Sequence, residues 1–294
     1  MRPTNTILGQ HFSIAGQLRF TFPRMLMSLF IMSYMVADGV LISRYMGTVA
    51  LASLNMIFPL AIFLGAVGIM LSAGGGSVVS RRMGAGDSAG ADRALSTLVY
   101  AEFAFGVIVG LLGILLLDPL LDFLNVNEEQ YAYAYEYQIV WLAFMPCFLL
   151  SVLSQTFFTV AGFPKLGLAV SIASGLTNVV LDIVFMGPFG WGMYGGALAT
   201  VISWIVAAVA GGIFFCRTKA PIKIILTRPD WAALKGACTS GFSEMVGSLS
   251  SSVTLYLFNA AFMYWLGVDG VAALTIASYS TYVFNSIFYG FCEA

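Results

Sequence analysis

FPRMLMSLFIMSYMVADGVLISRYMG, residues 22–47, is apolar along most of its length and carries one acid, Asp38. Residues 242–267, FSEMVGSLSSSVTLYLFNAAFMYWLG, lie over it without a gap at a shift of 220 positions. Phe22/Phe242, Met25/Met245, Ser28/Ser248, Leu29/Leu249 and Gly47/Gly267 coincide, and similar runs follow, TVALASL and VDGVAAL. Each copy exceeds the roughly 20 apolar residues a helix needs to cross a hydrocarbon core. The pairing therefore reads as a repeated membrane helix.

The rest of the chain supports lipid as the solvent. Of 294 residues 60% are hydrophobic and 9% charged, with a mean hydropathy of +0.91, against about 25% charged in ordinary soluble domains. The net charge of −1 and the scattered basic residues give no nucleic-acid stripe. Cys147, Cys216, Cys238 and Cys292 show no CxxC spacing and read as free thiols; His11 is the only histidine, which excludes a histidine-rich metal centre. No cleavable signal peptide is expected, because the polar N-terminal stretch runs into a full-length apolar span.

Eight spans follow, at about 21–43, 51–73, 95–117, 135–160, 166–187, 193–216, 238–265 and 270–292. Helices are required because backbone groups in lipid must be satisfied within the segment. With a cytoplasmic N-terminus, Arg2, Arg19, Arg24, Arg81, Arg82, Arg93, Lys165, Arg217, Lys219, Lys223, Arg228 and Lys235 fall inside and only Arg44 outside, as the positive-inside rule asks. The acidic segment DPLLDFLNVNEEQ then faces outward.

Six spans separate the two copies, an even number, so both copies face the same way. Parallel repeats of this kind occur in secondary transporters, with substrate handled between two halves. The expected organisation is a six-helix lobe at 1–216, a cytoplasmic linker at 217–237 and the first two helices of a second lobe at 238–294. Twelve helices are expected in full length. The linker, RTKAPIKIILTRPDWAALKGA, reads either as a strap on the membrane surface or as a solvated loop.

Polar residues inside the spans carry the functional reading. Asp38 and Asp182 each lie about five residues from the outer end of their span. Asn178 precedes Asp182 by one turn, Tyr34 precedes Asp38 by one turn, and Thr200 sits near the outer start of the sixth span. At about 1.5 Å per residue these groups fall roughly 8 to 14 Å below the outer surface. Two carboxylates at one depth, each with a polar partner four residues earlier, suit a shared proton or sodium site better than two snorkelling acids. Glu244, Gln155 and Asn259 are further candidates for contact with substrate or ion, Asn259 lying one residue from the repeat-equivalent of Asp38. Glu102 reads as an acid snorkelling from the inner end, Glu136 as a boundary residue. SRRMGAGDSAGAD (80–92) lacks the GK[ST] ending and strand of a P-loop and reads as an inner turn.

The order Pro23, Asp38, GVLISRYMGTVALASLN, SRRMGAGD, then QTFFTVAGFPKLGLAVSIASGLTNVVLDIVF and GWGMYGGALATVISW resembles the multidrug and toxic compound extrusion (MATE) family across the whole chain. The resemblance implies an all-α polytopic fold of two six-helix lobes. It also implies a coupling-ion site at Asp38, Tyr34, Asn178, Asp182 and Thr200, with Glu244 matching a helix-seven acid more loosely. The implied activity is antiport: export of lipophilic organic cations across the cytoplasmic membrane, expected bacterial, in exchange for protons or sodium. Sodium would sit at Asp38 and Asp182; no cofactor, resident metal, nucleic-acid partner or catalytic residue is expected, and the expected state is a monomer.

Three rival readings remain. A lipid-linked saccharide flippase of the same superfamily would carry Arg or Lys inside the cavity, and no span interior holds any. A membrane enzyme would need a nucleophile–base pair or histidine cluster. The third possibility is an inactive truncated form of the transporter.

Overall fold

The computed structural model describes residues 14–124, 126–217 and 220–292; Arg2, His11 and Lys219 of the sequence reading lie outside them. The described elements are helices: α1 Ile14–Met46, α2 Thr48–Gly84, α3 Ser88–Leu115, α4 Leu117–Phe123, α5 Glu128–Ala143, α6 Met145–Val160, α7 Pro164–Met186, α8 Gly192–Cys216 and α9 Trp231–Cys292. Six are long and apolar enough to cross a membrane singly, and the bent pair α5–α6 adds a seventh. A break at Gly267 divides α9 into two helices, which lie where the sequence places its seventh and eighth spans. Among the described residues Cys147, Cys216 and Cys238 are free thiols.

The repeat has a backbone signature. Gly47 separates α1 from α2 at φ 88°, and Gly267 breaks α9 at φ 68°. A side chain at positive φ is disfavoured, and glycine escapes that cost. Both glycines therefore end a spanning helix in the left-handed region, 220 residues apart.

The fourth span departs from a single straight helix. α5 and α6 meet at an angle of 63°, with Phe144 between them and Pro146 in the first turn of α6. Proline supplies no N–H for the carbonyl four residues earlier and its ring crowds that carbonyl, so a helix bends there.

α2 and α9 run side by side along the bundle, and their contacts explain several sequence choices. Pro59 inside α2 leaves the Asn55 carbonyl without its helical donor. Asn259 of α9 supplies it, its Nδ2 donating to the Asn55 oxygen at 2.8 Å, while Ser252 Oγ donates to the Pro59 oxygen at 2.6 Å. Further along, Gly74 and Gly241 let the two backbones touch; a Cβ on Gly74 would run into Ala237 and one on Gly241 into Met70.

The linker is a docked strap. Residues 220–230 run extended along α3, and α9 starts at Trp231 rather than near 238. Lys223 and Ile225 donate backbone N–H groups to Asp92 Oδ1 and Ser96 Oγ, both at 2.8 Å; Asp230 N–H reaches Thr97 Oγ1 at 2.9 Å. Tyr100 Oη donates to the Ile225 carbonyl at 2.9 Å. Asp92, Ser96 and Tyr100 follow a four-residue spacing, so one face of α3 holds the strap. Asp230 caps α9 through the Ala233 N–H at 3.0 Å and pairs with Arg82 at 2.6 Å. The Arg82 guanidinium, through that hydrogen bond, holds the Asp230 carboxyl below the usual carboxylate range.

Candidate functional site

The polar residues picked out in α1, α7 and α8 meet in one place. Asn178 and Asp182 sit i and i+4 on α7 and are both buried, Asp182 completely. Asp38 of α1 is buried and is the side-chain neighbour of Asp182. Thr200 of α8 receives Asn178 Nδ2 at 3.3 Å. Gly196, one turn before Thr200, borders the Asp182 carboxyl: a Cβ there would lie at ordinary contact distance, 3.9 Å from Asp182 Oδ1 and 3.9 Å from Ile42 Cδ1. Tyr34 is half-buried, its ring lying on Gly175, where a Cβ would collide with it.

Four acceptor oxygens in this cluster are buried without a hydrogen-bond partner among the described residues: Asp38 Oδ1, both oxygens of Asp182, and Asn178 Oδ1. Carboxylate oxygens only accept, so two ionised carboxyls facing one another repel; a bond between them exists only with a proton or another cation in between. Ile42 and Met186 meet Asp182 around Gly196 and belong to a buried apolar cluster that includes Ala197 and Val201. Uncompensated buried charge is costly, so two ionised carboxyls in this place need a compensating positive charge. The donor set is all oxygen: two carboxyls, an amide and the Thr200 hydroxyl. That suits a proton or a hard alkali ion rather than a thiophilic metal. No group of three or more His, Cys, Asp and Glu side chains occurs among the described residues.

A further residue joins the site from α5. The Tyr137 hydroxyl lies 3.5 Å from Thr200 Oγ1, at the long limit for hydrogen bonding. In YAYAYEY every second residue is aromatic, so Tyr137 looks like one more member of a boundary belt. Its inward face is set by the α5–α6 bend, which no composition window reveals. Behind it, Trp141, Trp204 and Phe148 pack at ring separations of 5.0 to 5.3 Å.

The other candidates fall elsewhere. Glu244 is exposed on α9. Gln155 is half-buried on α6, and its backbone carbonyl accepts from Arg24 Nη1 at 3.4 Å. Asn259 is committed to the Asn55 carbonyl of α2, so it ties two helices together. Two expectations are corrected. Arg24 is buried within the first span, so a basic side chain does lie inside a span, although its contacts are at Met27 and Gln155. Glu102 does not snorkel: it is wholly buried and accepts from Ser72 Oγ at 2.7 Å.

Comparison with known proteins agrees with this architecture. The MatE family model matches residues 23–184, which run from α1 into α7. The chain is similar to the multidrug export protein MepA of Staphylococcus saprophyticus, at 26% identity over 266 residues, covering 90% of this chain and 58% of the relative. It is also similar to an FAD transporter of Shewanella oneidensis, at 24% identity over 248 residues, covering 81% and 55%. An outward-facing multidrug resistance MATE family transporter of the MOP superfamily shares the fold, with a TM-score of 0.85 at 24% identity over 94% of this chain and 62% of that one. The chain thus spans less than two thirds of the length of these relatives.

Proposed function

This chain belongs to the MatE family, and on that premise we propose that it is the ion-coupling part of a secondary antiporter that exports lipophilic organic cations in exchange for protons or sodium. The observation that carries the reading is the set of four buried, unpartnered acceptor oxygens at Asp38, Asp182 and Asn178. A cation entering between the carboxyls bridges their oxygens and neutralises one of the two negative charges. Asn178 and Thr200 then act as neutral ligands, and Tyr137 steadies Thr200. Residues 14–216 form the lobe that holds the ion, residues 220–230 the strap to the second lobe, and the end carrying Arg81, Arg82, Arg93 and the strap faces the cytoplasm.

Coupling follows from electrostatics. Each elementary charge moved across the membrane draws about 2.3 kcal/mol per 100 mV. Ion entry from outside draws α1 and α7 together at the carboxyl pair, and α1 and α2 both pack on α9, so the change reaches the second lobe. The multidrug export names of the MepA relatives support drugs as cargo, and the two buried carboxyls favour a positively charged one. The protein works as a monomer with no cofactor beyond the coupling ion.

The test is efflux of a fluorescent organic cation from vesicles carrying the complete gene product, driven by a proton or a sodium gradient, for wild type and Asp38→Asn. Export driven by one gradient and lost in the variant is expected. No export under either gradient, from folded and inserted protein, defeats the proposal.

A further inference from the structure

Glu102 is buried as completely as Asp182, yet it lies on a different pair of helices and plays no part in the site above. It stands midway along α3, facing α2. Ser72 Oγ contacts Oε1 at 2.7 Å, and Oε2 is buried with no partner among the described residues. No acid or base occurs in α2 between residues 48 and 80, and none in α6, whose titratable group is Cys147. The other helices packed on α3 bring charges that point to the surface: Asp118 and Asp122 of α4, Glu128, Glu129 and Glu136 of α5, and Lys235, Glu244 and Asp269 of α9 are all exposed. On α3 itself Asp92 and Tyr100 are engaged with the strap. α5 adds the hydroxyls of Tyr133, Tyr135 and Tyr137, the last turned to Thr200.

An ionised Glu102 would face this apolar interior with one hydroxyl for compensation. A neutral carboxyl removes the charge, can itself donate in the same 2.7 Å contact, and leaves only a carbonyl-type oxygen unpaired. An alkali or alkaline-earth ion needs about six oxygen ligands, and here a carboxyl and one hydroxyl converge. We propose that Glu102 is a second proton-binding site of the bundle, independent of the Asp38–Asp182 pair, whose proton seals α3 against α2. Ser72 lies two residues from Gly74, where α2 meets α9 backbone to backbone. Loss of the Glu102 proton requires water in the α2–α3 seam, and that loosens the neighbouring α2–α9 contact. This site stands independently of the transport reading.

pH-difference infrared spectroscopy on the purified protein tests it. Wild type should show a protonated-carboxyl stretching band that persists in the Asp38→Asn, Asp182→Asn double variant and disappears in Glu102→Gln. Ser72→Ala should move that band to higher frequency, because a carboxyl freed of a hydrogen bond absorbs there. If Glu102→Gln removes intensity from the carboxylate bands instead, the residue is ionised and the proposal fails. Should Glu102→Gln not fold, Ser72→Ala in protein carrying isotope-labelled glutamate decides: a shifted labelled carboxyl band supports the site, an unshifted one overturns it.

Discussion

Residues 22–47 and 242–267 occupy equivalent positions in a repeat and do different work. Both are spanning helices that stop at a positive-φ glycine, Gly47 and Gly267. In the first copy the buried acid is Asp38, turned toward α7, where it meets Asp182. In the second, position 258 is a phenylalanine 52% exposed, and Asn259 beside it is 1% exposed and tied to the carbonyl that Pro59 leaves without a donor in α2. The two copies keep one frame, while one residue's change of face and charge separates a buried carboxyl pair from a structural clamp. An amide suits the clamp because it can donate; an ionised acid at 259 could not.

The largest effect should come from removing the acid where it is used. Asp182→Asn is expected to reduce gradient-driven export to the level of empty vesicles while the protein remains folded in the membrane. Pairing Asp38→Asn with Phe258→Asp should not restore export, since position 258 does not face a carboxyl; recovery in that double variant would erase the distinction between the copies.

The clamp should respond in stability rather than in ion coupling. Asn259→Ala strands the Asn55 carbonyl and should cost about 1 to 3 kcal/mol, read as a lower unfolding midpoint in detergent. Its ion dependence should stay as in wild type.

Where the copies agree, substitutions should agree. Gly47→Ala and Gly267→Ala each place a side chain at positive φ and should each destabilise by about 1 to 2 kcal/mol. Neither Cβ would meet a neighbour within 4 Å, so backbone strain alone decides the outcome. Unequal costs in thermal unfolding would mean the two breaks are not equivalent.

The smallest effect concerns the strap joining the copies. Arg82 depresses the Asp230 carboxyl, so its contribution is present above the unfolded value of about 3.9 and is lost as pH falls through the lower folded value. The N-cap contributes about 1 kcal/mol. Exchange protection factors at the amides of Lys223, Ile225 and Asp230, corrected for the intrinsic pH dependence of amide exchange, should therefore stay constant through neutral and mildly acidic pH and fall only below the ordinary carboxylate range. Asp230→Ala should show the lowered protection at neutral pH.

Much of this was legible in the sequence because a membrane makes two properties visible along a chain: apolar length and the cost of a buried charge. Those properties reveal the spans, the repeat, and the Asp38, Asn178, Asp182 and Thr200 group. Side-chain pairing across helices is not visible in that way. Ser72 and Glu102 are 30 residues apart, and nothing local in either segment states that they touch. Asn259 reads as a site candidate until Pro59, 200 residues earlier, is seen to need a donor. The strap hid because its partners, Asp92, Ser96, Thr97 and Tyr100, look like the ordinary polar start of a helix. Tyr137 hid in a run of aromatics whose inward member is chosen by the bend at Phe144.

If the Asp38–Asp182 pair holds a cation, that cation can be counted. Purified protein would be titrated with sodium at fixed pH, with proton release followed in the same sample, for wild type and for the Asp38→Asn, Asp182→Asn double variant. The account predicts one cation, proton or sodium, bound by wild type and lost in the double variant, with sodium displacing a proton if both compete for the pair. Identical binding and release in the two proteins would contradict it.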